Sequence, residues 1–133
     1  MDLVSLNLEL VGLSLAGPKS RSVLQACTAH DISHGAMKFM SVREIDIGMV
    51  PAIVGRVSFT GDLGYEIWVK PEYQLNLYDQ LMQAGESHGI RLFGSRALNS
   101  LRLEKNFSTW AREYRPTYGP LETGLDRFVD YDK

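Results

Sequence analysis

A single cysteine, Cys27, stands among 133 residues, so no internal disulfide framework braces this chain. Its place in Val23-Leu24-Gln25-Ala26-Cys27 marks it as a small buried hydrophobe rather than a catalytic thiol. No apolar run approaches the roughly 18 residues that cross a bilayer, and no basic segment followed by an apolar stretch and a small-residue cleavage site opens the sequence. Basic charge is in short supply. With 14 Lys and Arg against 16 Asp and Glu, the net charge of −2 offers no field to a polyanion. Neither membrane nor nucleic acid is an expected partner. The Gly-x-Gly-x-x-Gly dinucleotide fingerprint is missing, as are internal repeats, low-complexity tracts and Gly/Ser-rich linkers.

What is present is ordinary for a globular protein: 44% hydrophobic and 23% charged residues, in a length that suits one domain with a real core. From Val4 to Ala16, Leu and Val alternate in part, which predicts two short strands or one bent at Gly12. Pro18 opens a helix whose stripe of Val23, Leu24 and Cys27 runs to about Ala29, and a short helical turn is expected around Ser33. Phe39 to Ile47 alternates around Val42, Ile45 and Ile47. Pro51 to Phe59 alternates around Ile53 and Val57, and Gly48 between the two runs predicts a hairpin. After a strand from Tyr65 to Val69, Pro71 starts a helix in which Leu77, Tyr78, Leu81 and Met82 recur at helical spacing to Gly85. A last helix is expected from about Ser95 to Asn106. Hairpins outnumber plausible parallel crossovers, so the class is α+β with a mainly antiparallel sheet and helices packed on it. The expected core contains Leu77, Leu81, Leu98, Leu101, Ile53 and Val57.

The most informative stretch is Phe59-Thr60-Gly61-Asp62-Leu63-Gly64-Tyr65-Glu66-Ile67-Trp68-Val69. A two-glycine turn delivers one carboxylate into an aromatic-rich strand. Strand alternation puts Tyr65, Ile67 and Val69 on one face and Glu66 with Trp68 on the other. A carboxylate in semi-apolar surroundings is costly unless satisfied, and a flat heterocycle with an amidine-like pair of N–H groups, such as a pterin, satisfies both oxygens at once.

This turn, then Leu101-Arg102-Leu103-Glu104-Lys105, then Pro120-Leu121-Glu122-Thr123-Gly124-Leu125, in that order and spacing, resemble the tetrahydrofolate-binding aminomethyltransferase family, which includes the glycine cleavage T-protein. Leu15-Ala16-Gly17-Pro18 is similar to the family's entry into its first helix here. Ala97-Leu98-Asn99-Ser100 is more similar to the dimethylglycine and sarcosine dehydrogenase branch. Each motif is short, but together they cover nearly the whole chain. The resemblance implies the family's ferredoxin-like-type folate-binding domain, with residues 1–133 an excised part of a longer chain. It implies tetrahydrofolate as cofactor, with FAD in a separate domain if the dehydrogenase branch is the right one. It implies a cytoplasmic setting if the source is bacterial and the mitochondrial matrix if it is eukaryotic. The rest of the parent polypeptide is then a partner.

By the same resemblance, Glu66 matches the carboxylate that grips the pterin, while Phe59 stands where relatives commonly carry a tyrosine near that ring; Trp68, beside Glu66 on the same strand face, is the third expected cofactor contact. Phenylalanine can still wall the pocket but lacks the hydroxyl. The T-protein's Ala-Arg-Asp is here Ala97-Leu98-Asn99, so the arginine that meets the folate tail is absent at that register, and Arg96 points elsewhere on a helix. The family's catalytic aspartate lies in a region preceding the matching one, so no catalytic residue is assigned and the isolated polypeptide is expected to be inactive.

Plainer readings stand beside these. Read alone, Glu66 is an ordinary solvent-facing strand glutamate, and Trp68 and Tyr65 are packing residues. Arg102 and Glu104, two apart on a helix, cannot pair with each other and read as structural anchors. His30-Asp31-Ile32-Ser33-His34 has a metal-like spacing but only two histidines, and Asp31 or Ser33 as a cap explains it equally well, so no metal is assigned. Glu122 suits a folate-side cleft or a cap. Two functions follow: a folate-binding fragment of a one-carbon-transferring enzyme, or a noncatalytic structural or interaction module on the same fold.

Overall fold

The computed structural model describes residues 5–133, so the expected part of Val4 in the first strand lies outside the described residues. Strand β1 (Val11–Ala16) is followed by helix α1 (Ser20–Ala26), then by β2 (Val42–Ile47), β3 (Val50–Gly55) and β4 (Gly64–Val69). A 3-10 turn, Pro71–Tyr73, leads into α2 (Gln74–Gly85), and α3 (Ser95–Glu104) comes after a short connection. The strands form one antiparallel sheet in the order β1-β4-β3-β2. This is the expected α+β arrangement.

Local chemistry explains the main elements. The hairpin between β2 and β3 turns on two residues, with Gly48 at φ 58 supplying a left-handed position that a side chain would resist. The first strand begins later than the alternation suggested, at Val11, and carries Gly12 inside it without breaking. Pro18 precedes α1 instead of lying in it; the helix starts at Ser20, whose hydroxyl donates to the Leu63 carbonyl at 3.2 Å. Around Ser33 the chain makes one helical turn, closed by the Met37 N–H on the Ser33 carbonyl at 2.9 Å.

The pairing Ile47↔Val50 sets which face each residue takes. Val50, Ala52 and Val54 of β3 share the inner face with Ile45 and Ile47 of β2 and with Ile67 of β4. Helices α1 and α2 cover this face with Val23, Leu24, Leu77 and Leu81, and the core also takes in Leu15, Tyr65 and Val69. Tyr65 is fully buried, and its hydroxyl accepts a hydrogen bond from Arg21 Nε at 3.0 Å. Ile32 and Met37 of the α1–β2 connection are fully buried in the same cluster.

Four of the six expected core residues need correction. Ile53 and Val57 are only half-buried: β3 is apolar on both faces, so its periodicity alone cannot select one, and the hairpin register selects Val54 and Ala52 over Ile53, while the strand ends at Gly55 before Val57 is reached. Leu98 and Leu101 are also half-buried, whereas their neighbour Arg102 is 1% exposed. Helix α3 turns a polar side chain, not its leucine stripe, toward the rest of the chain. Leu77 and Leu81 are buried as expected.

Leu77→Ala should therefore cost about 2–5 kcal/mol, the range for a filled core leucine, and Leu101→Ala clearly less. Urea unfolding of the two variants checks this. An equal loss in both would place α3 in the core.

Candidate functional site

One face of the sheet is closed by α1 and α2. The other carries Ser14, Glu66, Trp68, Ile53, Glu44 and Asp46, and its centre is Trp68. In the register Trp68 stands opposite Gly12 on one side and Ile53 on the other, with Gly55 next along β3. A Cβ added at Gly12 would lie 3.0 Å from Trp68 Cδ1, and one at Gly55 would lie 3.1 Å from both Cη2 and Cζ3. The indole thus lies across the sheet on two glycines, its pyrrole edge above β1 and its benzo edge above β3. From sequence, Gly12 reads only as a possible bend and Gly55 is passed over, although a glycine inside a strand is a signal of close approach.

Glu66 precedes Trp68 by two residues on the same face, flanked by Ser14 on β1 and Gly55 on β3. The side chain is half-buried. The ion pairs among the described residues join His30 to Asp46, Arg102 to Glu113 and Lys105 to Asp62, and none involves Glu66. A carboxylate beside an indole, with no countercharge, is thereby presented to whatever approaches this face. On the far side of Trp68 a depression of about 490 Å³ opens between His30, Pro51, Lys70 and Tyr73; Glu66 is not on its wall.

Phe59 lies on the connection from Gly55 to Gly64, at the end of the sheet where Glu66 pairs with Gly55. The residue is 37% exposed, and its ring centroid is 6.0 Å from the Arg102 guanidinium carbon. The rest of the turn is held tightly. Thr60 is buried, its hydroxyl sharing a 2.8 Å hydrogen bond with Ser58, and Gly61, at φ 79, sits so close to Lys105 and Phe107 that no side chain fits. Lys105 Nζ is 3.4 Å from Asp62 Oδ1. So α3 reaches the sheet through the 59–62 turn.

Arg102 is the hub of that junction. Its Nε donates to Asn99 Oδ1 at 3.1 Å and its Nη1 to the Phe107 carbonyl at 2.7 Å, while Nη1 and Nη2 fork onto Glu113 at 3.0 and 3.2 Å. Glu113 also accepts the Thr109 N–H at 2.9 Å. That backbone bond first, and the Arg102 bonds second, hold the Glu113 carboxyl down at about 2. Arg102 is a structural anchor as expected, but its partner eleven residues on was missed, since no helical spacing links the two.

The other candidates separate from this face. His34 Nδ1 is 3.2 Å from Arg56 Nη1, while His30 turns to Asp46 at 3.8 Å, and among the described residues no three His, Cys, Asp or Glu side chains are grouped to hold a metal ion. Asp31 accepts the Ser33 N–H at 2.8 Å, a bond that lowers its pKa, in the capping role foreseen. Glu122 likewise accepts the Gly119 N–H at 2.7 Å. Cys27 is half-buried, and burial pushes its thiol pKa up. No helix among the described residues is long and apolar enough to cross a membrane.

Comparison with known proteins adds to this geometry. The model of the GCVT N-terminal domain matches residues 1–133. The chain is similar to human (Homo sapiens) dimethylglycine dehydrogenase, with 42% identity over 94% of this chain and 14% of that protein. It is 36% identical to 4-methylaminobutanoate oxidase (formaldehyde-forming) of Paenarthrobacter nicotinovorans, over 93% of this chain and 15% of that one. An aminomethyltransferase of Geobacillus sp. (strain WCH70) is 34% identical over 100% of this chain and 36% of its own length. The chain thus spans about one-seventh of the first two relatives and about a third of the last.

The Glu113 carboxyl bears on acid stability. Its folded pKa of about 2 lies below the ordinary 4.5, so the pair contributes fully above about 4.5 and its contribution is lost as pH falls through that window toward about 2. Wild-type protein should be more stable than Glu113→Gln at about pH 6, with the gap narrowing steadily toward about pH 3. Urea midpoints at both pH values measure it. A gap independent of pH would show that ionised Glu113 contributes nothing.

Proposed function

The chain belongs to the GCVT N-terminal domain family, and from that membership we propose that its open sheet face binds the pterin of tetrahydrofolate. The observation that carries the proposal is the pairing of an uncompensated Glu66 with an indole that spans from Gly12 to Gly55. A pterin has an amidine-like edge and two flat faces. Glu66 would accept two N–H bonds from that edge, a bidentate grip that fixes the orientation of the ring in its plane. Trp68 would supply an apolar flank to the same ring, and Phe59 a wall at the same end of the sheet.

Tetrahydrofolate, when bound, supplies the nitrogen that takes up a one-carbon unit. This chain's own residues would bind, orient and shield. Glu66 has the charge and setting for the pterin end, but two features narrow the fit. Phe59 offers no hydroxyl, and the helix register that carries an arginine in the T-protein pattern holds Leu98. The grip on the folate tail would then come from residues beyond this chain.

We read residues 1–133 as part of a folate-binding domain in a longer enzyme that draws the one-carbon unit from an aminomethyl or N-methyl amine donor. Identity supports the N-methyl amine side: 42% to dimethylglycine dehydrogenase against 34% to the Geobacillus aminomethyltransferase. On that reading FAD belongs to another domain of the same polypeptide, and the rest of that polypeptide is this chain's partner. Three relatives are mitochondrial by name, and on this reading the setting is the mitochondrial matrix for a eukaryotic source and the cytoplasm for a bacterial one. A noncatalytic module is the second reading, favoured by Phe59 and Leu98.

Glu66→Gln keeps shape but removes the charge and turns one acceptor into a donor facing a donor. Tetrahydrofolate affinity in the protein that carries this domain should fall about ten- to a hundredfold, or roughly 1.5–3 kcal/mol. Reduction of a bound flavin by the amine should hardly change. Calorimetry beside the reduction rate separates the two effects, and unchanged folate affinity would return Glu66 to an ordinary surface role.

A further inference from the structure

Arg102 is the most deeply buried charged side chain among the described residues, yet it lies outside the pterin face. An arginine held at 1% exposure needs its donors satisfied, and four of its five N–H groups are: one on Asn99, one on the Phe107 carbonyl and two on Glu113. This leaves the guanidinium locked in plane and position. Phe59 packs against it with the ring centroid 6.0 Å from Cζ, within cation–π range. The same helix end also blocks Gly61 with Lys105 and Phe107 and pairs Lys105 with Asp62. Three of the four residues from Phe59 to Asp62 therefore rest on the C-terminal end of α3 and the residue pair beyond it. Two residues past Asp62, β4 begins and carries Glu66.

We propose that Arg102, clamped by Glu113, is a positioning residue that holds Phe59 and the 59–62 turn in place, so that the 107–113 segment and the Glu66 face are mechanically coupled. This deepens the folate reading and rests on it for its consequence, though not for its geometry. Arg102 touches no reacting atom. Its effect passes through Phe59, whose ring has no other charged group recorded against it. If Glu113 releases the fork, the guanidinium keeps only its bonds to Asn99 and the Phe107 carbonyl, and the Phe59 ring loses the rigidity of its support. Residues 60–62 keep the Thr60–Ser58 bond, the packing of Gly61 on Lys105 and Phe107 and the half-exposed Lys105–Asp62 pair, which contributes little, but Phe59 is left without its fixed partner.

The test uses Glu113→Gln, which keeps the shape of the clamp and avoids emptying the buried site, with Arg102→Lys as a second variant that keeps the charge but cannot fork. Amide hydrogen exchange is followed in 59–63 and 107–113, and tetrahydrofolate affinity is measured by calorimetry. In both variants exchange should accelerate in both segments while β1 and α2 keep their protection, and folate affinity should fall on the order of three- to tenfold. A double-mutant cycle with Phe59→Leu should be non-additive, the Glu113 effect shrinking when the ring is already gone. Faster exchange confined to 107–113, with unchanged affinity, would overturn the positioning role. Coupled exchange in a wild-type protein that binds no tetrahydrofolate would overturn the folate reading and leave the coupling standing.

Discussion

An indole packed across a β-sheet leaves little room for a Cβ beneath it. Trp68 imposes this on both neighbouring strands, where Gly12 and Gly55 leave 3.0 and 3.1 Å between a notional Cβ and the ring atoms. An alanine at either position would require the indole to give way by a few tenths of an ångström, since such approaches are tighter than ordinary packing allows. Much of the open face follows from this one placement. Gly55 also leaves the β3 flank of Glu66 bare, and the remaining flank holds only Ser14, so the carboxylate stands clear of bulky neighbours. The opposite face of β4 is filled by Tyr65, Ile67 and Val69, whose burial beneath α1 and α2 fixes the strand and with it the indole. One strand thus anchors the core on one side and presents a carboxylate and a ring on the other.

Helix α3 is attached by a different kind of contact. Its leucines are half-buried (Leu98, Leu101) or exposed (Leu103), and it meets the sheet through Arg102, with Lys105 and Phe107 just beyond its end, against the 59–62 turn. A polar attachment of this kind adds little net stability, because the desolvation of the arginine offsets most of what its bonds return. It does specify geometry: a forked guanidinium has one orientation, where a set of leucines has many near-equivalent packings. The chain therefore uses apolar burial for stability beneath the sheet and hydrogen-bonded charge for position at its end. Several apolar residues beyond α3 remain exposed, among them Trp110, whose recorded aromatic neighbour is Tyr114 at 6.1 Å.

The sequence was most legible where one local rule acted alone. Gly48 between two alternating runs sufficed for the hairpin, and Leu77 and Leu81 at helical spacing sufficed for the buried side of α2. In β4 the alternation of Tyr65, Ile67 and Val69 with Glu66 and Trp68 left one choice of faces, because a charge cannot sit among the core residues unpaired. Strand β3 offered no such contrast. Val50, Ala52, Ile53 and Val54 are apolar in both phases, so the face was decided by the hairpin register with β2.

By itself the sequence determined the α+β class, the order of the elements, the phase of β4 and the membership of the GCVT N-terminal domain family, all of which rest on local periodicity or on motifs in register. Only the tertiary structure decided that Gly12 and Gly55 form the bed of the indole, since they lie on different strands and are brought together by pairing with β4. It alone joined Arg102 to Glu113 and to Phe59, across separations of 11 and 43 residues. Those contacts depend on how a helix end is set against a turn, a relation between elements that no pattern within either one encodes.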